Sequence, residues 1–201
     1  MVLAFWSGGV GVAMAADEAP NAMIERLSKE VLDQIKADKS IQSGDVSKIM
    51  ALVDSRIMPN VNFQRMTAYA VGRPWLQATA EQRKRLQDEF KLLLVRTYSG
   101  AMAQVGDRQI TVEPLRGPAD GKEVTVDSIV RGGGSDLKLQ YKLEKTPGNG
   151  AGWKIVDLNV ESIWLVDSFN KQFAPEIKAG GIDGLIAALV QRNKSNEKKS
   201  G

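Results

Sequence analysis

Residues 137–144 alternate without a lapse: Leu137, Leu139, Tyr141 and Leu143 on one phase, Lys138, Gln140, Lys142 and Glu144 on the other. Successive side chains of a strand point to opposite faces, so this run has a dry face and a wet face. The dry one must be laid against something apolar. Ile110 and Val112 alternate with Gln109, Thr111 and Glu113 in the same manner. Val124 and Val126 follow, then Trp153 and Ile155, with Val156, Leu158 and Val160 on the opposite phase. The connectors Arg116 to Gly121, Gly132-Gly133-Gly134-Ser135 and Thr146 to Gly152 are short and rich in Gly, as hairpins between sequential strands require. The expected sheet is a four-stranded antiparallel meander covered on its dry side.

The cover comes from helices before and after the strands. Ile24, Leu27, Val31 and Ile35 recur at helical spacing after Pro20. Asp45 caps a second helix carrying Val46, Ile49, Met50 and Val53, which Pro59 ends. A third starts near Asn62 with Phe63, Met66 and Ala70 and stops at Gly72-Arg73-Pro74. Thr79 and Gln82 make a capping box for a long fourth helix. There Leu86, Phe90, Leu93, Leu94, Thr97 and Ala101 form a stripe, and Leu92, Val95 and Met102 widen it around most of the circumference. A surface helix needs a stripe of only about 100°, so this one is expected to touch partners on two sides. Two closing helices are expected, Ile163 to Ala174 ended by Pro175, and Ile182 to Arg192 after Gly180-Gly181.

The first residues carry a different signal. Val2-Leu3-Ala4-Phe5-Trp6 and Val10-Gly11-Val12 are apolar and uncharged, and Ala13-Met14-Ala15 puts small residues where signal peptidase reads them. Residues 1–15 are expected to be a cleaved signal peptide, although no basic residue precedes the apolar run. The segment is too short to span about 30 Å of hydrocarbon. Residues 16–192 then form a single α+β domain, expected to be soluble and monomeric, and 193–201 a basic flexible tail with Arg192, Lys194, Lys198 and Lys199 around Glu197.

Composition narrows the chemistry. The chain has no Cys and no His, which removes disulfides, Cys/His zinc sites, Ser-His-Asp and Cys-His nucleophiles, and the usual base near neutral pH. The balance of 27 Lys and Arg against 24 Asp and Glu is mildly basic, but no basic helix or basic–aromatic alternation points to nucleic acid. Gly117-Pro118-Ala119-Asp120-Gly121-Lys122 has the wrong spacing for a phosphate loop and joins two strands, so it reads as a hairpin turn. No catalytic signature and no cofactor motif is present. Periodicity alone leaves open whether the apolar interior is filled or hollow.

The ordered set Leu52-Val53-Asp54, Ile57, Pro59, Val61-Asn62-Phe63 and Met66 resembles the family of MlaC, periplasmic phospholipid carriers also called toluene-tolerance proteins. The resemblance continues in Gly72-Arg73-Pro74-Trp75, Ala78-Thr79, Glu81-Gln82-Arg83, Glu89-Phe90 and 92–98, and resumes at Trp153-Lys154-Ile155, Gln172-Phe173 and 180–185. Asn62 stands where that family usually has Asp, and Ser162-Ile163-Trp164 replaces a commoner Gly-Val-Ser. The resemblance implies helices and sheet enclosing an apolar cavity that holds glycerophospholipid as cargo. It implies partners in an outer-membrane lipoprotein–porin complex and an inner-membrane ABC transporter complex, and a role in outer-membrane lipid asymmetry. The expected lipid-binding wall is Phe63, Met66, Tyr69, Trp75, Phe90, Leu94, Tyr98, Met102, Val126, Leu139, Tyr141 and Ile155. Arg73 and Arg96 are candidates for phosphate, against ordinary pairing with acids. Two rival readings are an isomerase-like enzyme, which needs a carboxylate on the dry face with Asp157 the sole candidate, and a chaperone-like binder of apolar segments.

Overall fold

A computed structural model describes residues 17–105 and 108–200; the expected signal peptide lies outside the described residues. The helices are α1 (Pro20–Ala37), α2 (Lys39–Gln42), α3 (Val46–Leu52), α4 (Phe63–Val71), α5 (Ala80–Ala103) and α6 (Leu165–Ser200). The strands are β1 (Gln109–Val112), β2 (Glu123–Arg131), β3 (Leu137–Lys145), β4 (Trp153–Val160) and β5 (Ile163–Trp164), antiparallel in the order β1-β2-β3-β4-β5. No helix among the described residues is long and apolar enough to cross a membrane.

Local chemistry sets the helix starts. Asp45 accepts from the backbone N–H of Ser47 and Lys48, and Asn62 from that of Arg65. Thr79 and Gln82 bond each other's backbone at 3.1 and 2.9 Å, the capping box read from the sequence. Between α3 and α4 the chain tightens through a π turn (Val53–Ile57) and a 3₁₀ turn (Met58–Asn60) around Pro59. Val61 then bridges Ile155, and the Asn62 N–H donates to the Ile155 carbonyl at 2.9 Å, which fastens the start of α4 to β4.

The closing segment differs from expectation in three places. Residues 163–164 form a fifth strand, not the start of a helix, because Glu161 and Ser162 both take positive φ (50° and 70°) and turn the chain back onto β4. Pro175 lies inside α6 and does not end it; the break falls at Gly180 and Gly181, the latter at φ 64°, ψ −155°. Residues 193–200, expected as a flexible tail, continue the helix, and Asn193 is buried with its amide donating to the carbonyl of Glu89 at 3.0 Å.

A bulge resolves the two phases of β4. Leu143 pairs with Ile155 but Lys142 pairs with Asp157, so Val156 is the extra residue. The slip turns Leu158 and Val160 onto the same face as Trp153 and Ile155, opposite Tyr141 and Leu139. Asp157 therefore joins Lys142 on the other face, not the dry one. Its carboxylate accepts from the N–H groups of Leu158 (2.8 Å) and Val166 (3.1 Å), at the start of α6.

Three buried clusters hold the layers together. Helices α4, α5 and α6 share one, centred on Phe90 with Phe63, Phe169 and Phe173 at centroid distances of 5.5, 4.9 and 5.3 Å. Met23, Ile24 and Leu27 of α1 cover Val126, Leu143, Trp153 and Ile155 of the sheet. Ile35, Ile41, Ile49, Leu52 and Val53 pack with Val95 of α5 in the third.

Candidate functional site

Helix α5 organises the interior. Leu86, Phe90 and Leu93 enter the aromatic cluster, while Val95 on the opposite side enters the cluster of α1–α3. Its close packing partners are α2, α3, α4 and α6 rather than strands. Leu94, Tyr98 and Met102 are left only partly buried on the remaining arc, and burial pushes the Tyr98 phenol above its ordinary pKa.

The dry face of the sheet shows the complementary pattern. Where α1 lies over it, Val126, Leu143 and Ile155 are buried. Toward the other end, Ile110, Val130, Leu137 and Leu139 belong to none of the three clusters among the described residues, and Ile110, Leu137 and Leu139 are only partly buried. Leu158 and Val160 beside them are also partly buried. Val130 and Ser128 of β2 in the same stretch are buried, at 4% and 1% exposure, so the partial exposure is confined to Ile110 on the edge strand β1, to Leu137 and Leu139 of β3 and to Leu158 and Val160 of β4. Val31, Met58 and Val61, each packed against two clusters yet partly exposed, mark where the layers meet. Tyr141 sits on the same row; burial pushes its phenol up, opposed by the Ser128 and Ser28 hydroxyls.

The expected wall residues divide. Phe63, Met66, Trp75 and Phe90 are buried core of the helical layer, and Val126 and Ile155 are core under α1. Leu94, Tyr98, Met102, Leu139 and Tyr141 are the partly buried ones. Tyr69 points outward at 56% exposure and stacks under the Arg65 guanidinium, 5.3 Å from the ring centroid. Helical geometry explains it: Phe63, Met66, Thr67 and Ala70 share the inner face of α4, and position 69 falls about 100° away. Leu158 and Val160 were hidden from strand alternation by the bulge, and Met58 and Val61 by the irregular turns around Pro59.

Charged groups are mostly tied into the scaffold. Arg65 bridges Glu123 and Glu144, and Asn62 donates to the same Glu144, locking α4 to the sheet. Arg96 is engaged by the Asn193 carbonyl and by Glu197 at 3.5 Å, the ordinary pairing weighed against a phosphate role. A groove of about 500 Å³ runs between α5 and α6, lined by Leu93, Thr97, Tyr98, Phe169 and Ala188, with Arg192 and Glu176 paired at 3.1 Å on its rim. The inward rows of β1–β4 carry no Asp or Glu, so the dry-face base that an isomerase-like site requires is not there. Asp157, on the other face, is raised by burial, with its two backbone hydrogen bonds acting against the shift.

A family model described as MlaC protein matches residues 25–191. The toluene tolerance protein Ttg2D of Pseudomonas putida is 27% identical over 170 residues, spanning 84% of this chain and 77% of that protein. A phospholipid-binding protein from Ralstonia solanacearum, solved in complex with a phospholipid, superposes with a TM-score of 0.84 at 39% identity, covering 91% of this chain and 99% of its own. The match runs from α1 to the second half of α6, and on that extent the chain belongs to the MlaC family.

Proposed function

We propose that the protein is a periplasmic phospholipid carrier whose cargo keeps its acyl chains against the partly buried apolar end of the sheet's inward face. The observation that carries this reading is the row Ile110, Leu137, Leu139, Leu158 and Val160: apolar, facing inward and only partly buried. The Ralstonia solanacearum protein, similar over nearly the whole chain, holds a phospholipid.

The energetics require such a surface. At about 0.8 kcal/mol per methylene, roughly 30 acyl methylenes lose about 24 kcal/mol on exposure to water, so a lipid does not cross an aqueous gap alone at a useful rate. A carrier interior about as dry as a bilayer makes uptake and release nearly balanced. The wall we assign comprises Leu94, Tyr98 and Met102 from α5, Leu139 and Tyr141 from β3, and the neighbouring Ile110, Leu137, Leu158 and Val160. The exchange partners are an outer-membrane lipoprotein–porin complex and an inner-membrane ABC transporter complex. Holding acyl chains demands no catalytic side chain and no cofactor.

Native mass spectrometry with lipid extraction, on protein prepared from a periplasm without detergent, tests the reading. An added mass of about one phospholipid is expected. Protein that stays empty after incubation with phospholipid vesicles refutes it and favours a binder of apolar protein segments. Loss of lipid to membranes bearing either partner complex, and not to bare vesicles, is the expected result for the handover step.

A further inference from the structure

Arg108 stands at the end of the inward row of β1. Alternation places Arg108, Ile110 and Val112 on one face, and the Gln109–Arg131 pairing sets Arg108 opposite Gly132. Contacts agree with the register: a Cβ on Gly132 would lie 3.4 Å from Arg108 Cγ, and one on Gly133 only 2.8 Å from Nη2. The guanidinium thus rests directly on the backbone of the β2–β3 hairpin, where Gly132 and Gly133 take φ of 109° and 77°. A side chain at Gly133 would be both strained and in collision with it.

This guanidinium is treated differently from the other partly buried ones. Arg65 meets Glu123 and Glu144, and Arg96 meets Glu197. The neighbouring Arg131 leans to Asp136 at 3.7 Å and to the Thr111 hydroxyl at 3.3 Å. Arg108 makes no ion pair among the described residues, and its Nε is buried without a hydrogen-bond partner. A shielded N–H of a charged group that lacks an acceptor is unfavourable, and an anion presenting oxygens in a plane is its natural complement.

The location gives that anion a context. From Arg108 the dry face runs through Ile110, Val130, Leu137 and Leu139, outside every buried cluster, before reaching Leu143 and Ile155 under α1. A cation at one end of an inward, largely partly buried apolar row is the outline of an anionic amphiphile. We propose that Arg108 holds the phosphate of the bound lipid, its headgroup lying at the Gly132–Gly133 hairpin and its acyl chains directed toward α1. The inference rests on the carrier reading and adds to it an orientation and a selectivity. The planar fork of Arg108 reads the phosphate common to all glycerophospholipids, while the headgroup alcohol beyond it projects toward water.

Free phosphate offers the same oxygens, so the test separates the two sources. Lipid-free full-length mature protein is incubated with dioleoyl phosphatidylcholine vesicles carrying a minor share of dioleoylglycerol, and the bound lipids are read by native mass spectrometry. Corrected for vesicle composition, the wild type is expected to prefer the phospholipid about tenfold, the scale of one charge-assisted hydrogen-bonded contact. Arg108→Gln is expected to bind both lipids with a ratio near unity, and Arg108→Lys to fall between. Continued uptake of dioleoylglycerol shows that the variants are folded. An unchanged ratio in Arg108→Gln overturns the proposal and leaves the carrier reading intact; a wild type that takes up neither lipid overturns both. In a second arm, inorganic phosphate is titrated onto the lipid-free protein by phosphorus NMR, with no broadening expected at millimolar concentration. Arg108-dependent broadening with an unchanged lipid ratio would assign the residue to a free ion and overturn the headgroup assignment.

Discussion

Leu139→Glu separates a hollow face from a filled one. Leu139 points inward, pairs with Val160 and Ser128 on the neighbouring strands, and belongs to none of the buried clusters among the described residues. If the face is hollow, water enters when lipid is absent and a carboxylate there stays ionised, so the fold should lose no more than about 1 kcal/mol. The cargo is affected far more, because the carboxylate keeps its hydration and holds methylenes away. Excluding ~4 methylenes from dry contact at ~0.8 kcal/mol each costs ~3 kcal/mol, or ~200-fold in lipid affinity. The matched control is Thr125→Glu, which adds the same charge on the exposed wet face opposite Lys142. Lipid content after purification, and the lipid taken up from vesicles, are compared with urea midpoints for both variants. Retention of lipid by Leu139→Glu at the level of the control refutes the reasoning. A loss of several kcal/mol in stability does so too, since it would mark Leu139 as part of a filled core.

Three further outcomes are expected. Phe90→Ala, at a ring 1% exposed and flanked by Phe63, Phe169 and Phe173, should cost about 3–5 kcal/mol in urea unfolding; a cost under 1 kcal/mol would contradict the packing described. Ser162→Gly removes a side chain from a residue at φ 70° and should stabilise by about 1 kcal/mol, read as a Tm higher by a few degrees; a lowered Tm would show that the turn is not strained. Burial raises the Asp157 carboxyl above the usual carboxylate range, so its charge opposes folding once pH exceeds its folded pKa, and the wild type loses that part of its stability as pH rises from the ordinary carboxylate range. Asp157→Asn keeps the acceptor for Leu158 and Val166 and removes the charge, so its stability relative to wild type should grow as pH rises from the ordinary carboxylate range. A pH-independent difference would argue against that desolvation.

Local pattern carried most of the architecture. The strict alternation of 137–144, the Thr79–Gln82 box and the caps at Asp45 and Asn62 are decided within a few residues, and the structure keeps each of them. Composition, through the missing His and Cys, narrowed the chemistry before any fold was known. The readings that changed depend on partners distant in sequence. The Val156 bulge is a matter of register with β3, and it moved Leu158 and Val160 inward and Asp157 outward. The reversal at Glu161-Ser162 and the helix through Asn193 are held by contacts with β4 and with Glu89 of α5. The site itself was the least legible. Phe90 and Leu94 are equally apolar neighbours on one helix, yet the first fills a ring of aromatics and the second is left only partly buried against it. Hydrophobicity records that a side chain avoids water; only the packing of α5 against the other helices decides which of its apolar residues protein covers and which it leaves partly exposed.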